Sequence, residues 1–455
     1  MSHTAINPTT GETIATHADL TSPELRRAIA ATQRAFLRWQ QVPMQARADL
    51  MRTAARLLRG RAASFAELMA REMGKPLAQG RGEAEKCAWV CEYYADHAAA
   101  FLKPEHIVTD AARSYVTYRP LGIVFAIMPW NFPFWQVFRF AAPALMGGNA
   151  ALLKHAPNVP GCALAIEQLF RDAGFPADLF RTLFISVPQS KQVIRHRHVA
   201  AVTLTGSTGA GKAVAKEAGA RLKKCVLELG GSDPYLILED ADFDLAIEAC
   251  ATSRLLNSGQ SCIAAKRFLV VEPIRAEFER RFVARMGRAV VGDPFRDGVD
   301  VGPQARADLR DTLHDQVHRS VAAGARLLLG GTLPGGPGYF YPATVLTDVA
   351  KGMPAYNEEF FGPVASIIPV KDERAGIKVA NDTSFGLGAA VFTRDLARGE
   401  RIAANELQAG ACFVNAFVKS DPRLPFGGIK ESGFGRELSR HGLLEFQNAK
   451  TVYVR

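Results

Sequence analysis

Short apolar runs alternate with helical patterns between residues 121 and 205, and this alternation constrains the fold more than any other feature of the chain. The apolar runs have the length of strands and lie at residues 121–127, 150–153, 182–185 and 200–205. Apolar residues at helical spacing fill the intervals, at residues 136–146, 161–173 and 189–195. Strands that alternate with helices form a parallel sheet covered by helices, so the sequence predicts an α/β fold.

A second alternating block runs from residue 241 to about residue 421, with strands predicted around Phe268, Leu327, Ile367, Ala390 and Phe413. The chain has 455 residues, which is too many for one hydrophobic core, so two α/β domains are expected. Ser22 is the expected N-cap of the first of four N-terminal helices. These four helices are predicted at residues 23–40, 45–59, 64–73 and 83–101.

The composition argues against several classes of protein. No stretch approaches the roughly 18 uninterrupted apolar residues of a membrane span. The first residues have neither the basic head nor the apolar core of a signal peptide. Seven cysteines without a paired spacing fit a reducing compartment, so a cytoplasmic location is expected. Cys87 and Cys91, one helical turn apart, are expected to pack rather than to bind a metal, because no further ligand lies at a suitable spacing.

The net charge of +10 raises the alternative of a nucleic-acid-binding protein. The basic residues are dispersed among helical patterns such as 47–61 and 275–288, and no basic block is interleaved with aromatic residues. Solvated helix faces with a mild attraction for anionic ligands are therefore the favoured interpretation. A nucleic-acid partner is not expected.

One cysteine lies in a short polar turn between two apolar segments. The stretch 257–264 holds Cys262 between a predicted helix at residues 243–256 and a predicted strand at residues 267–272. A thiol in such a turn can be both held in place and reachable, as a nucleophile must be. Taken alone, a packed cysteine is the favoured interpretation, since unpaired cysteines are usually buried.

A carboxylate lies inside the apolar run at residues 223–234, where Glu228 is followed, after Leu229, by two glycines. Burial of a carboxylate costs free energy unless the group is paired or protonated. Such a group titrates nearer to neutrality than a surface glutamate, which suits a general base. A solvent-facing position on an edge strand is the alternative, and the stretch alone does not decide between the two.

Leu-Glu-Leu-Gly-Gly, followed about thirty residues later by Gly-Gln-Ser-Cys, resembles the paired signature of the aldehyde dehydrogenase superfamily. Further motifs of that superfamily follow in the same order over nearly the whole chain, at residues 129–133, 153–154, 205–208, 358–363 and 425–436. Within the superfamily, residues 128–133, 152–158 and 225–234 are most similar to bacterial NAD(P)-dependent succinate-semialdehyde dehydrogenases.

The resemblance implies two Rossmann-type three-layer α/β domains and a small β oligomerisation flap. The NAD(P)-binding domain would comprise residues 1–110 and 122–228, the catalytic domain residues 229–422, and the flap residues 111–121 and 440–455. In the flap, a strand at residues 113–119 would pair with residues 450–455. An exposed strand of this kind needs a partner, so a homodimer or homotetramer is expected.

The resemblance also implies the chemistry. Cys262 would attack the aldehyde carbon to form a thiohemiacetal, whose collapse sends a hydride to the nicotinamide and leaves a thioester. Asn131 and the backbone N–H of Cys262 would hold the oxyanion. Glu228 would activate the water that hydrolyses the thioester. No metal is expected.

The expected cofactor is NADP or NAD, with NADP favoured. NAD-preferring members commonly carry a glutamate three residues after the lysine that corresponds to Lys154. Here that position is Pro157, so nothing acidic at that position repels a 2′-phosphate, while Lys154 and His155 favour one. The turn at residues 206–211 follows a strand and opens a helix, which suits a phosphate. The residues implied in cofactor binding are Trp130, Asn131, Lys154, His155, Ala156, Pro157, Gly206, Ser207, Leu229, Glu359 and Phe361.

The expected substrate is succinate semialdehyde, oxidised to succinate. Arg139, eight residues after Asn131, would pair with the substrate carboxylate through its guanidinium fork; a surface arginine on its helix is the alternative. Ser420 would be a second contact. Trp135 and Arg254 are expected at the mouth of the site.

Other functions stay open at this point. Leu256 lies where some members of the superfamily carry a second active-site arginine, so another ω-carboxy aldehyde or a small aliphatic aldehyde is an alternative substrate. A cysteine hydrolase is a more distant alternative, as is the nucleic-acid-binding protein. A hydrolase usually keeps a histidine near its thiol, and none lies within forty residues of Cys262 in the sequence.

Overall fold

The computed structural model describes residues 2–455, and its first part is a hairpin followed by a helical layer. The elements of this part are β1 (Ser2–Ile6), β2 (Thr13–Ala18), α1 (Ser22–Trp39), α2 (Met44–Gly60), α3 (Ala62–Met73), α4 (Leu77–Phe101), β3 (Glu105–His106) and β4 (Arg113–Pro120). The cap of α1 is Thr21 rather than the predicted Ser22. The Thr21 side chain accepts from the backbone N–H of Glu24, and the Glu24 carboxylate accepts from the backbone N–H of Thr21.

The next part of the chain confirms the predicted alternation of strands and helices. Its elements are β5 (Ile123–Met128), α5 (Trp135–Met146), β6 (Ala150–His155), α6 (Pro160–Asp172), β7 (Phe180–Thr182), α7 (Val187–Arg195), β8 (Val199–Thr205), α8 (Thr208–Gly219) and β9 (Lys224–Glu228). The five strands are parallel and lie in the order β9-β8-β5-β6-β7. The carboxyl ends of β5, β8 and β9 therefore meet at one edge of the sheet, where ligands bind in open α/β sheets.

The strand predicted at residues 182–185 lies earlier in the chain, at Phe180–Thr182. Residues 183–185 continue past the sheet and hold the N-terminal hairpin: the carbonyl of Phe184 accepts from Leu20, 2.8 Å away. The Phe184 ring also stacks on His17, with the ring centroids 4.8 Å apart. The segment is apolar although it is not a strand, because Leu183 and Ile185 on either side of Phe184 are buried in the hydrophobic core.

The second block forms a seven-stranded sheet. Its elements are β10 (Asp233–Ile237), α9 (Phe243–Leu255), β11 (Ala265–Val271), α10 (Arg275–Met286), α11 (Ala307–Ala322), β12 (Arg326–Leu329), β13 (Thr344–Thr347), α12 (Pro354–Asn357), β14 (Val364–Val370), α13 (Glu373–Asn381), β15 (Gly388–Phe392), α14 (Leu396–Asn405) and β16 (Ala411–Val414). The order is β12-β13-β14-β11-β10-β15-β16. Only the edge pair of this sheet, β12 with β13, is antiparallel among the residues described.

Alternate residues of the central strands face two separate apolar cores, one on each side of this sheet. Tyr235 and Phe268 belong to one core, whereas Leu236 and Leu269 belong to the other. Side chains alternate between the faces of a strand, so helices must cover both faces to bury them. The seven-stranded sheet is thus the middle of three layers, as the apolar character of its strands predicts.

The C-terminal segment returns to the first sheet and then leaves it. It comprises β17 (Gly433–Phe434), α15 (Ser439–Leu444) and β18 (Gln447–Val454). The short strand β17 is antiparallel to β9, with Gly433 opposite Glu228. The chain from residue 425 onward therefore lies beside Glu228 and contributes to the site that contains this residue.

A separate three-stranded antiparallel sheet has the order β18-β4-β3. The predicted pairing of residues 113–119 with the C-terminal strand is confirmed: Gln447 lies opposite Pro120 and Val454 opposite Arg113. Four consecutive residues of β18, from Asn448 to Thr451, are exposed. The oligomerisation role of this sheet stays a prediction, as do the domain boundaries.

None of the helices in residues 2–455 combines the length and the apolar character that a bilayer span requires.

Candidate active site

Two cavities meet at the thiol of Cys262. This residue is half-buried, in the loop between a 3₁₀ turn at Leu256–Gly259 and β11. One cavity, of about 250 Å³, is lined by residues of α4, α5 and the loop after β16. The other, of about 180 Å³, lies between the ends of β5 and β8 and the loop that holds Glu359. Cys262 lines both cavities, so a ligand in either one can reach the sulfur.

Two buried cations hold the loop that carries the thiol. Arg254 is fully buried and donates to the backbone carbonyls of Gly259 and Ala265. The ammonium of Lys266 donates to the carbonyls of Ser261 and Cys262, at 3.0 and 2.8 Å. These bonds satisfy carbonyls that would otherwise lie buried without a donor. The prediction that Arg254 lies at the mouth of the site is therefore wrong, because its side chain points behind the loop and does not line the cavity.

The preceding turn is strained. Asn257 and Ser258 adopt positive φ angles of 57° and 55°, and Gly259 has a φ of 73°. A β-carbon at Gly259 would lie 2.2 Å from the carbonyl carbon of Gly362, so only glycine fits there. Left-handed conformations of non-glycine residues persist where the surroundings determine them, and they concentrate at functional sites.

The predicted oxyanion donor, Asn131, lies in the wall of the smaller cavity. Its Nδ2 donates to the carbonyl of Gln260, 3.1 Å away. Its backbone carbonyl accepts from Nδ2 of Asn257, at 2.7 Å. An amide nitrogen carries two N–H groups, so one bond fixes the side chain beside the thiol loop and the second N–H is available for an oxyanion.

The thiol is protonated at rest. Burial raises the pKa of Cys262 to about 12, and the positive charges of Arg139 and Lys266 oppose this rise. A thiolate is the nucleophile, so attack on a carbonyl requires that the proton be removed as the bond forms.

Glu228, the predicted base, is buried at the end of β9. Burial raises its pKa well above the usual range; the charge of Arg139 opposes the rise and that of Glu437 adds to it. Within residues 2–455 neither of its carboxyl oxygens has a hydrogen-bond partner. The carboxyl packs against Gly427, where a β-carbon would lie 2.6 Å from Oε1.

In this conformation Glu228 is not among the residues that line either cavity. A rotation of its side chain toward Cys262 is required before it can bind a water there. The absence of hydrogen bonds to the carboxyl leaves that rotation unopposed by any bond to the described residues.

Arg139 lies in the wall of the larger cavity with its charge already balanced. Its guanidinium forms an ion pair with Glu437, and both side chains are buried. Nη2 also donates to Oγ1 of Thr205, 3.3 Å away, and the guanidinium lies 4.6 Å from the centroid of the Phe426 ring. The structure thus places Arg139 beside the thiol, as the sequence predicts, but with a carboxylate of the protein as its partner.

The other predicted substrate residues, Ser420 and Trp135, line the same cavity. The charged residues of the site that the sequence did not predict include Lys86, Lys266 and Glu437. Lys86 and Glu437 come from elements far from Cys262 in the chain, so no local pattern marks them. Lys266 lies only four residues after Cys262, and its ammonium donates to the Cys262 carbonyl. Only the position of Lys266, inside the apolar strand β11, signals a buried cation that requires partners.

The smaller cavity fits the nicotinamide half of a dinucleotide. Its lining includes Trp130, Gly206, Ser207, Leu229, Gly230, Glu359 and Phe361. Ser207 caps α8 and accepts from the N–H of Ala210 at 3.3 Å. The earlier N–H groups of that turn have no intrahelical partners and face outward, as an anion requires. Glu359 is fixed at the cavity wall, because its Oε1 accepts from the N–H of Gly231 at 3.0 Å.

A third cavity, of about 240 Å³, suits the adenosine half. Its walls are mainly apolar, as a flat heterocycle prefers, and it is lined by Ile127, Lys154, Val187, Ser190, Lys191, Ile194, Leu204, Ala210, Ala213, Val214 and Glu217. Residues of the first turn and middle of α8 line it, so this cavity and the smaller one flank the same helix. The residues present therefore fit NADP or NAD.

Of the four consecutive residues predicted at the adenosine end, only Lys154 lines this cavity. His155 is buried and its pKa is lowered to about 4, chiefly by burial, so its ring is neutral. Its Nε2 donates to the carbonyl of Pro133 at 2.9 Å, and its Nδ1 accepts from the N–H of Ala156. The positive charge expected from His155 toward a 2′-phosphate is thus absent, while Pro157 is exposed and carries no charge.

Comparisons with known proteins agree with this geometry. The model of the aldehyde dehydrogenase family matches residues 2–452. The chain is 47% identical over 454 residues to a probable succinate-semialdehyde dehydrogenase (NADP+) of Synechocystis, with 100% of both chains covered. It is 46% identical over 449 residues to a succinate semialdehyde dehydrogenase (NAD(P)+) of Escherichia coli, with 99% of this chain and 97% of that protein covered.

Among solved structures, succinic semialdehyde dehydrogenase of Streptococcus pyogenes in complex with NADP+ superposes with a TM-score of 0.97. The two chains are 36% identical, and 99% of each is covered.

The role of Arg254 in holding the thiol loop can be measured. Arg254→Met leaves the carbonyls of Gly259 and Ala265 without their donor, so the free energy of unfolding should fall by about 2–5 kcal/mol. Urea unfolding followed by tryptophan fluorescence measures this change. The exposed Arg288→Met is the control and should change it by less than about 0.5 kcal/mol. Equal unfolding midpoints for Arg254→Met and the wild type would contradict the account.

The burial of Glu228 predicts a pH-dependent stability. Its folded pKa lies above the ordinary value of 4.5, so the folded state holds a proton that the unfolded state has released, and stability falls as the pH rises above that value. Glu228→Gln has no titrating carboxyl at this position, so this fall in stability with pH should be absent from the variant. The melting temperature of the variant minus that of the wild type should therefore increase between pH 5 and pH 8. A difference that stays constant over this range, or one that the exposed Glu400→Gln reproduces, would refute the assignment.

Proposed function

The chain belongs to the aldehyde dehydrogenase family, and we propose that it oxidises succinate semialdehyde to succinate with NADP or NAD as cofactor. One observation carries this proposal: a single thiol lies where a dinucleotide-shaped cleft meets a small cavity whose wall holds cationic side chains. The cavity of about 250 Å³ is below the roughly 300–1,000 Å³ of drug-sized sites, which suits a short aliphatic aldehyde.

The reaction begins with attack of the Cys262 sulfur on the aldehyde carbon. A carbon–sulfur bond forms as the thiol proton passes to solvent water, and the carbonyl oxygen becomes an oxyanion. The free N–H of the Asn131 amide, with the backbone N–H of Cys262, donates to that oxygen. Arg139 lowers the pKa of the thiol, which favours formation of the thiolate.

The bound cofactor supplies a hydride acceptor. Trp130 and Phe361 form one wall of the cleft, with their ring centroids 5.7 Å apart and the rings edge to face. Glu359, held by the N–H of Gly231, lies where it can bind a ribose hydroxyl. When the carbon–hydrogen bond breaks, the oxyanion regains its carbonyl and a thioester remains on Cys262.

Hydrolysis of the thioester requires a base, and we assign this role to Glu228. Once its side chain rotates toward the thiol, the carboxylate takes a proton from a water whose oxygen attacks the thioester carbon. The carbon–sulfur bond then breaks, and succinate and the Cys262 thiol are released. A carboxyl whose pKa lies well above the usual range is a stronger base than a surface glutamate.

We also propose that the enzyme acts in the cytoplasm as a homodimer or homotetramer. All seven cysteines are free, which fits a reducing compartment. The exposed face and edge of β18 support assembly with another copy, because an unpaired strand edge tends to pair. The predicted division near residue 228 is proposed as well, and it is supported by the strands, because β5 to β9 precede that residue or end at it and β10 to β16 follow it.

The absorbance of reduced cofactor tests the proposed substrate directly. Succinate semialdehyde should exceed butanal in kcat/KM by about 10-fold or more, since one charge-assisted hydrogen bond contributes about 1.5–3 kcal/mol. NADP should support at least the rate of NAD, since Lys154 faces the adenosine cavity. A preference for butanal would leave the family intact but contradict the substrate.

The role of Glu228 predicts a stalled thioester. Glu228→Gln should release about one equivalent of reduced cofactor per active site in a rapid burst, followed by a steady rate at least about 100-fold below that of the wild type. Stopped-flow absorbance records both phases. Cys262→Ala is the control and should show no burst. A wild-type steady rate in Glu228→Gln would remove the base assignment.

A further inference from the structure

Lys86 is a cation of the substrate cavity that the mechanism above does not use. It lies on α4, partly buried, and its side chain lines the larger cavity together with Cys262. Nζ donates to Oγ of Ser420, 2.8 Å away. Nζ also lies 4.4 Å from the centroid of the Trp135 ring, within the range of a cation–π contact. These two contacts fix the ammonium at the cavity wall.

Two of the other ionised groups of the cavity wall are paired with partners in the protein, and the third, Lys419, is exposed to solvent. Arg139 pairs with Glu437. Glu83 pairs with Lys75, and its second oxygen accepts from the N–H groups of Phe134 and Trp135. In contrast, no carboxylate among residues 2–455 lies within ion-pairing distance of Lys86. A partly buried ammonium without a counterion creates a site for an anion.

We propose that Lys86, together with Ser420, binds the carboxylate of the substrate and so selects aldehydes that carry a carboxylate at the far end. This inference rests on the proposed function and refines it, because it transfers the anchoring role from Arg139 to Lys86. Arg139 remains a positioning residue, whose field acts on the thiol while its charge is balanced by Glu437.

The hydrogen-bonding capacity of the pair fits a carboxylate. An ammonium has three N–H donors, and one of them is used by Ser420. The Ser420 oxygen accepts this bond, which leaves its O–H free to donate. A carboxylate accepts from several donors at once, so one oxygen can bind Nζ while the hydroxyl binds the other. The indole face of Trp135 covers the remaining side and keeps water away.

The direct test compares substrates with and without the carboxylate. In Lys86→Met the ratio of kcat/KM for succinate semialdehyde to kcat/KM for butanal should fall by about 10- to 100-fold, mainly through a higher KM for the semialdehyde. Lys86→Arg keeps a cation and should retain most of the ratio. Lys419→Met removes an exposed lysine from the mouth of the same cavity, and a fall of less than about 3-fold there excludes a general loss of positive potential.

A pH profile gives a second readout that a purely structural role would not produce. Burial and the nearby charge of Arg139 lower the pKa of Lys86 to about 8, against the opposing effects of Cys87, Glu83 and Asp421. The ammonium binds an anion only while protonated, so the wild-type KM for succinate semialdehyde should rise as the pH increases above about 8. Lys86→Arg should abolish this rise, because a guanidinium stays charged. The KM for butanal is the reference at each pH.

The outcomes separate the inference from the function on which it rests. A wild type that prefers butanal overturns the proposed substrate and the anchor with it. A wild type that prefers the semialdehyde, with the same preference in Lys86→Met, overturns the anchor alone. The value of kcat/KM for butanal in each variant is the reference for the amount of active enzyme. If Lys86→Met fails to fold, the wild-type and Lys86→Arg pH profiles decide: parallel profiles contradict the proposal.

Discussion

The site depends on one constraint: a reactive thiol must be open on two sides while the loop that carries it stays rigid. Cys262 meets this constraint because Arg254 and Lys266 bind the carbonyls of its loop from behind. Neither cation occupies the cavities at the front. The strained turn at Asn257 and Ser258 is held by other bonds, because the N–H of Asn257 donates to Gln79 and the N–H of Gly302 donates to Oγ of Ser258. Asn131 is fixed through the carbonyl of Gln260. Loss of these bonds would move nucleophile and oxyanion donor together.

Burial favours the protonated forms of Cys262 and Glu228, so each must give up a proton before it can act. Burial raises the pKa of both Glu228 and Glu437, and the positive charge of Arg139 opposes the rise in each. The cationic groups around the thiol stabilise the negative charge that develops on sulfur and on oxygen during the reaction.

Most of the fold could be predicted from the sequence, because the spacing of apolar residues and the residue types in turns are local signals. The four strands and three helices between residues 121 and 205 appear in order, and only one strand is displaced, by two or three residues. The paired motifs around Glu228 and Cys262 likewise lead to the elements that meet at the site. The N-cap at Thr21 was missed by one residue, because Ser22 is an equally good cap by residue type.

What the sequence could not supply is which charges pair. Glu437 neutralises Arg139 from almost 300 positions away in the chain, and Glu83 is neutralised by Lys75. Arg254 lies between Ser253 and Leu255, and these neighbours suit a cavity mouth as well as a buried loop support. Lys86 follows no motif at all. These assignments depend on how the C-terminal segment and α4 pack against α5. Tertiary contacts of this kind produce no periodic pattern in the sequence.

The central claim is that the carbon of the aldehyde becomes bonded to Cys262 before water releases it. Mass spectrometry of Glu228→Gln, mixed with succinate semialdehyde and NADP and quenched in acid, tests it most directly. The account predicts that the intact chain gains the mass of one succinyl group and that peptide mapping places this group on Cys262. Reduced cofactor without an adduct, or a succinyl group on another residue, would contradict it.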